Sequence, residues 1–410
     1  MNVVLQTLLA LAVILVTARA VGRVFRALGQ PAVMGEVVGG LLLGPSALGG
    51  LAPELSAWLL PPAVASFLGL HAQIGIVLYM FLVGLELDLP KVRALGRTTV
   101  AISAAGILVP LLLGVGLAFW LYPRVSSSEV PFTVFAAFIG TSLAVTAFPV
   151  LARILTDWGI ARTPLGTTAL TAAAAGDVIA WCLLAVVVGM ARSDMTAGLR
   201  TLGLTLVFAA VMFRFGGPAV RTWVERLAGR ATVGETAISR ADLGTVLIAV
   251  LLCAATTEVI GIHGLFGAFV LGTLVPHKSP VAVDLDRRFG DLVAVLFLPA
   301  FFAFTGMRTE IGLLEGAADW LICAVIIAVA SAGKIGGTIA GARWSGLQWR
   351  DSAALGALMN TRGLVELIVL NVGLDLGIIS PRLFTMLVIM ALTTTLMAAP
   401  ALRVLLEDRP

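Results

Sequence analysis

Apolar residues run along this chain in long blocks rather than in strict alternation. Read between charged or Pro/Gly-rich breaks, they form thirteen stretches: approximately 3–22, 32–50, 72–89, 98–121, 131–152, 164–190, 197–213, 243–259, 263–276, 290–307, 318–341, 352–374 and 383–402. About 20 apolar residues in a helix cross the hydrocarbon of a bilayer. The pattern therefore predicts an all-α polytopic membrane protein of about thirteen transmembrane helices, with 263–276 short for a span and 51–71 assigned to none. The first stretch is followed by Ala18-Arg19-Ala20, as a cleavage site would be, but no basic region precedes it, so it reads as a retained first helix.

Composition supports the membrane reading: 59% of residues are hydrophobic, 12% are charged and the mean hydropathy is +1.05. Glycine is abundant, as expected where helices pack in lipid through small residues. Basic residues set the orientation. With the N-terminus outside, the inner segments hold Arg19, Arg23, Arg26, Lys91, Arg93, Arg97, Arg153, Arg162, Arg214, Arg221, Arg226, Arg230, Arg240, Lys278, Arg287, Arg288, Arg343, Arg350, Arg403 and Arg409. The outer segments hold only Arg124, Arg192, Arg200, Arg308 and Arg382, and Lys334 and Arg362 stay in the membrane. An odd helix count follows, with the N-terminus out and the C-terminus cytoplasmic. The charges are spread over many loops, which speaks against a nucleic-acid surface, and 214–242 reads as a solvated linker, with a lipid-head-group site as the alternative. Cys182, Cys253 and Cys323 lie in apolar runs and give neither a disulfide framework nor a thiolate metal site.

The strongest chemical signal is Asp177, a lone acid within Thr168-Ala169-Leu170-Thr171-Ala172-Ala173-Ala174-Ala175-Gly176-Asp177-Val178-Ile179-Ala180-Trp181. A carboxylate at bilayer depth costs at least about 2.5 kcal/mol, so a partner, a cation or a proton must offset it. The chain also repeats itself. Gly39-Gly40-Leu41-Leu42-Leu43-Gly44 in the second stretch parallels Gly267-Ala268-Phe269-Val270-Leu271-Gly272 in the ninth, and Phe81-Leu82-Val83-Gly84-Leu85-Glu86 in the third parallels Ala303-Phe304-Thr305-Gly306-Met307-Arg308 in the tenth. An offset of seven helices reverses orientation, so the halves are inverted, as in many transporters. The same offset pairs the fifth and twelfth stretches. Gly140-Thr141-Ser142 with Thr146 and Pro149 interrupts one, and Asn360-Thr361-Arg362-Gly363 interrupts the other. Unwound backbone there frees carbonyls, and the Thr141 and Ser142 hydroxyls add neutral oxygens suited to a monovalent cation beside Asp177. Packing between helices is the plainer reading of those hydroxyls.

These motifs, in this order and spacing, resemble the monovalent cation/proton antiporter superfamily, in particular its second branch, which includes the sodium/proton antiporters and the Kef-type potassium/proton exchangers. The match runs through Gly35-Glu36-Val37-Val38-Gly39-Gly40-Leu41-Leu42-Leu43-Gly44-Pro45-Ser46, Phe81 to Asp88, Thr141-Ser142 with Thr146 to Leu155, Asp177 to Trp181, Gly333-Lys334-Ile335-Gly336-Gly337 and Met359 to Leu367. The resemblance implies two inverted six-helix repeats with crossed, broken helices. It also implies a mobile core, here helices of about 72–190 and 290–380, and a scaffold from the remainder that forms a homodimer. The implied partners are a monovalent cation (Na+ or K+), the proton and the bilayer, with no cofactor. The cation-binding group it implies is Asp177, its only metal a monovalent one, and the richness in Ala, Gly and Arg suggests a GC-rich bacterial source, hence a bacterial inner membrane. One departure stands out: Gly176 occupies the position before the aspartate where the family places Asp or Asn. Lys334 is then expected to pair directly with Asp177 when no cation is bound. The chain ends at Pro410 shortly after the last stretch, so no appended regulatory domain is expected.

Arg362 and Glu366, four apart, read as a structural ion pair on one helical face, with a role as supporting charges for the ion path, beside Lys334, as the second reading. Glu86 reads as the end of a helix, Glu36 as a complement to a helix dipole, and Glu258 with His263 as flanks of a tight turn, with pH sensing by His263 as the alternative. Enzyme motifs fail: no Gly-x-Gly-Asp with a second acid, no His-Glu-x-x-His among His71, His263 and His277, and no Gly-x-Ser-x-Gly. A scaffold repurposed as an organic-ligand binder or an intramembrane biosynthetic catalyst is the alternative, because Gly176 leaves space beside Asp177.

Overall fold

Each predicted stretch folds as helix, because in lipid every backbone amide and carbonyl must be satisfied within its own segment. The computed structural model describes residues 3–87, 96–127, 129–161, 163–191, 195–228, 238–277 and 279–406. Lys91, Arg93, Arg162, Arg192, Arg230, Lys278 and Arg409, which contribute to the charge bias above, and Asp88 lie outside the described residues.

Helix α1 is Val3–Ala27, α2 is Ala32–Leu43, α3 is Pro62–Glu86 and α4 is Arg97–Val125. The fifth stretch is two helices, α5a (Phe132–Ala144) and α5b (Phe148–Asp157), followed by α6, Pro164–Ala191. Then come α7, from Met195–Val211 through a π turn into Gly217–Ala228; α8, Arg240–Ile260; and α9, Leu265–Leu274. Helix α10 starts as Pro280–Leu292 and continues through a π turn into Leu298–Met307, and α11 is Gly316–Trp344. The twelfth stretch is again two helices, α12a (Trp349–Met359) and α12b (Leu364–Asp375), and α13 is Pro381–Leu396 with Ala398–Leu406 beyond it.

Among the described residues ten of these are long and apolar enough to cross a membrane, α2 only together with the π turn Pro45–Gly49 that follows it, and α12a with α12b, bent by 44° across their break, form an eleventh. The thirteen stretches are thus not thirteen full-length spans. Helix α9 has 10 residues, about 15 Å of rise, which is half of the hydrocarbon thickness. The unassigned region 51–71 holds a short helix, Pro53–Leu59, and the first turns of α3, which begins ten residues earlier than expected because Pro62 opens it.

By contacts the chain forms two compact units, one of Met1–Pro61, Lys91–Val187 and Phe302–Pro410, the other of Pro62–Pro90 and Val188–Phe301. Both carry the same helix contact. In the first, a Cβ on Gly44 of α2 would lie 2.5 Å from the Gly306 carbonyl of α10, and one on Gly306 would lie 2.4 Å from the Leu41 amide. In the second, a Cβ on Gly272 of α9 would lie 2.9 Å from Gly84 Cα of α3, and one on Gly84 would lie 2.4 Å from the Phe269 carbonyl. Gly44 and Gly306 are the repeat partners of Gly272 and Gly84, and Leu41 is the partner of Phe269. The inverted repeat inferred from two short motifs is therefore a repeat of contacts, built where backbones touch and only glycine fits.

Candidate ion-binding site

The two helix breaks meet. Residues 145–147 separate α5a from α5b and 360–363 separate α12a from α12b, so each break leaves carbonyls and amides without a helical partner. The breaks satisfy one another: the Ala147 amide donates to the Thr361 carbonyl (3.1 Å), and Thr146 Oγ1 donates to the Met359 carbonyl (3.3 Å). Thr395 of α13 fastens the second break by accepting from the Arg362 amide (2.7 Å) and donating to the Arg362 carbonyl (2.6 Å).

Charges take up what is left. The last carbonyls of α5a carry the negative end of its dipole, and two cations close on them. Arg362 donates to the Ser142 carbonyl at 2.7 Å and to the Leu143 carbonyl at 2.6 Å, and Lys334 Nζ donates to the Ala144 carbonyl at 2.5 Å. Lys334 also donates to the Gly106 carbonyl of α4 at 2.9 Å. Glu366 sits in the first turn of α12b, 3.3 Å from Arg362, and accepts from the Ser142 hydroxyl at 2.5 Å. Arg362 and Glu366 are both 0% exposed. Their pairing does not come from a shared helical face: α12b starts at Leu364, and Arg362 lies in the break before it.

Asp177 is 4% exposed, and neither of its carboxylate oxygens accepts a hydrogen bond. The Lys334 ammonium and the amide of Phe148, the first residue of α5b, lie within electrostatic reach of it. In an unbroken helix that amide would serve the Ala144 carbonyl, which Lys334 holds instead. The break thus presents its positive end to the aspartate and its negative end to the lysine. Direct pairing of Lys334 with Asp177, expected above, is not the arrangement found: the ammonium spends its donors on Gly106 and Ala144. The structure brings Asp177, Lys334, Arg362, Glu366 and Ser142 to the crossed breaks. Thr141 is buried in the last turn of α5a, and neither the Thr141 nor the Ser142 hydroxyl bonds to Asp177. The Ser142 hydrogen belongs to Glu366.

Sequence reasoning missed the roles of the Gly106 and Ala144 carbonyls, the Phe148 amide and Thr395. Backbone groups leave no residue-type signal, and Thr395 is one of three successive threonines. The Glu258 carboxylate accepts from the Gly264 amide (2.8 Å) across the turn at Gly261, and His263 lies in the same turn, 3.5 Å from the Leu265 amide. Among the described residues no group of three or more His, Cys, Asp or Glu side chains is placed to hold a metal ion.

Gly176 is open: the nearest atom a Cβ would meet is Ile107 Cδ1, at 3.8 Å, whereas one on Gly44 would collide with the Gly306 carbonyl. Gly44→Ala is expected to cost about 1–3 kcal/mol, and Gly176→Ala, in a helix interior with room for the methyl, to cost nothing and to stabilise by up to about 1 kcal/mol. Thermal unfolding of the two variants in detergent checks the contrast.

Residues 11–408 match the profile of the family described as sodium/hydrogen exchanger, transmembrane. The chain belongs to this family. Its similarity extends to the Na(+)/H(+) antiporter NhaS4 of Synechocystis sp., 41% identical over 401 residues and 97% of each chain. It is 38% identical to Cation/H(+) antiporter 18 of Arabidopsis thaliana over 395 residues, which are 96% of this chain and 48% of that protein. It is 33% identical to K(+)/H(+) antiporter 1 of Saccharomyces cerevisiae over 391 residues, 94% and 44% of the two chains. The chain thus spans about half the length of these plant and yeast relatives. The fold is that of the sodium proton antiporter MjNhaP1 from Methanocaldococcus jannaschii, with a TM-score of 0.67 at 15% identity over 98% of this chain and 97% of that one. Family membership places the protein among transporters rather than enzymes, and no finding favours the repurposed-scaffold alternative.

Proposed function

We propose that the protein exchanges a monovalent cation, Na+ or K+, for protons across a bacterial inner membrane, and that both ions compete for Asp177. One observation carries the reading: a carboxylate 4% exposed, at the crossing of two broken helices, with both oxygens free of protein donors. Such a group is a liability unless a cation or a proton neutralises it. Lys334 and Arg362 neutralise the carbonyl ends of α5a instead of the aspartate, and the start of α5b faces the carboxylate. The Thr141 and Ser142 hydroxyl oxygens are the neutral groups offered to complete a cation shell; the Ser142 hydrogen is committed to Glu366, which leaves the oxygen's lone pairs for a cation. The names of the relatives, which include Na(+)/H(+) and K(+)/H(+) antiporters, support the reaction class for either ion. The arginine bias favours an external N-terminus and a cytoplasmic C-terminus, and the helices bearing the site carry the ion across when Asp177 is neutralised.

The test is cation-induced proton movement in proteoliposomes, scanning sodium, potassium and lithium against pH. If one proton competes with one cation, the half-activating cation concentration rises by up to tenfold for each unit of pH decrease, since protons occupy the shared carboxylate at low pH. Two exchanging protons double that slope. Proteoliposomes of correctly inserted protein in which no cation moves protons rule the reading out.

A further inference from the structure

Helix α4 continues as helix for 29 residues with Pro110 inside it. Proline has no amide hydrogen, so the carbonyl four residues earlier, that of Gly106, is deprived of its helical donor. In a membrane an unserved carbonyl needs another donor, and the Gly106 carbonyl takes Lys334 Nζ at 2.9 Å. The crossing of α4 and α11 puts the lysine there. A Cβ on Gly333 would lie 3.0 Å from Pro110 Cα, one on Gly337 2.5 Å from the Ala105 carbonyl, and one on Gly341 2.6 Å from the Ala101 carbonyl. This stripe of glycines at four-residue spacing brings the two backbones into contact, and Lys334 projects beside it at the level of the proline.

We infer that Pro110 is a positioning residue for the ion site: by withholding an amide from the Gly106 carbonyl it creates the acceptor that holds the Lys334 ammonium on α4 and away from the carboxylate of Asp177. The two acceptors of Lys334 are then free for two different reasons. Ala144 loses its donor to the break in α5, and Gly106 loses its donor to a proline. Together they hold a buried cation, 1% exposed, without using the nearby aspartate, so the carboxylate stays available to the transported ion. An amide at position 110 would compete for the Gly106 carbonyl and release the ammonium toward Asp177, where it displaces the cation.

The inference rests on Asp177 being the exchange site, but its first test does not. The full chain is compared as wild type, Pro110→Ala, Lys334→Met and the double variant by thermal unfolding in detergent. Lys334→Met is expected to lower Tm by about 2–4 °C in the wild-type background, and by less than half of that in the Pro110→Ala background, where the restored amide already serves Gly106. Equal shifts in both backgrounds overturn the inference. Pro110→Gly restores the same amide and must reproduce the cycle, which keeps the test decisive should Pro110→Ala not fold. In proteoliposomes Pro110→Ala is expected to raise the cation KM about tenfold or more, the scale of one hydrogen bond to a charged group, with kcat within about twofold. An unchanged KM, or a fall in kcat alone as a merely loosened helix would give, counts against it. Wild-type liposomes that exchange no cation sink the antiporter reading instead, and the unfolding cycle still decides on Pro110.

Discussion

Replacing Asp177 by Asn is expected to abolish cation-coupled proton movement, by about a hundredfold or more, in a protein at least as stable as the wild type. The first half follows from the site. Cation affinity depends on the formal negative charge of Asp177, which accepts no hydrogen bond from the protein, and removing one member of a buried charge pair is worth about 3–5 kcal/mol, which is about two to nearly four orders of magnitude in affinity. The second half separates a functional carboxylate from a structural one. A carboxylate that held the fold together would leave unpaired donors behind and lower Tm. Asp177 accepts no hydrogen bond, and Lys334 keeps both its carbonyl acceptors in the variant, so its neutralisation removes a desolvation cost and strands nothing. Proteoliposome exchange and thermal unfolding, measured on one preparation, check both halves. A variant that loses exchange together with several degrees of Tm would show that Asp177 is architectural.

The inverted repeat clarifies why the site is one-sided. Helices α6 and α13 are related by the same seven-helix offset as the two broken helices, and each sends a polar side chain to a break. On α13 that side chain is Thr395, which both donates to and accepts from the backbone of Arg362. On α6 it is Asp177, opposite the Phe148 amide, with both oxygens unserved. The threonine closes its break with matched neutral bonds and can hold no cation. The aspartate leaves its break charged. The geometry of a transporter is thus used twice, and its chemistry once.

Much of this is legible in the sequence because lipid enforces a simple grammar. Long apolar runs must be helices, and an acid among alanines, as at Asp177, has no cheap structural reason to be there. The repeat can be read because backbone contact leaves a glycine at each meeting point: Gly44 and Gly306, Gly84 and Gly272. The interruptions in the fifth and twelfth stretches are visible as polar residues and Pro149 in apolar surroundings. What cannot be read is which partner each charge takes. Four-residue spacing puts Arg362 and Glu366 on one helical face, but the helix begins only at Leu364, and Arg362 reaches Glu366 from the break. Charge alone assigns Lys334 to Asp177. Its actual acceptors are main-chain carbonyls, whose availability depends on where helices stop and which amides are missing. An apolar run also overstates the length of α9, since it records burial and not the distance crossed.

The largest loss of stability is expected at Arg362. Its guanidinium serves the Ser142 and Leu143 carbonyls at the end of α5a and the Glu366 carboxylate at once, and through Glu366 it steadies the Ser142 hydroxyl. Arg362→Met keeps the apolar bulk and removes every side-chain donor, leaving Glu366 with the Ser142 hydroxyl alone and α5a with two uncapped carbonyls. Breaking a buried pair from one side costs about 3–5 kcal/mol, and each uncapped carbonyl adds about 1–3 kcal/mol, so Tm should fall by about 10 °C or more. Removing the acid as well, in Arg362→Met/Glu366→Gln, eliminates the stranded charge but not the stranded carbonyls. The double variant should therefore recover about half of the loss, and Glu366→Gln alone should cost less than Arg362→Met, because it strands a cation that still has the α5a carbonyls to hold. Recovery to wild-type stability would show that the carbonyl contacts contribute little and that the ion pair is the whole role of Arg362. Arg362→Met with an unchanged Tm would mean that the crossed breaks hold without it, and the dipole of α5a would then have to be balanced by Lys334 alone.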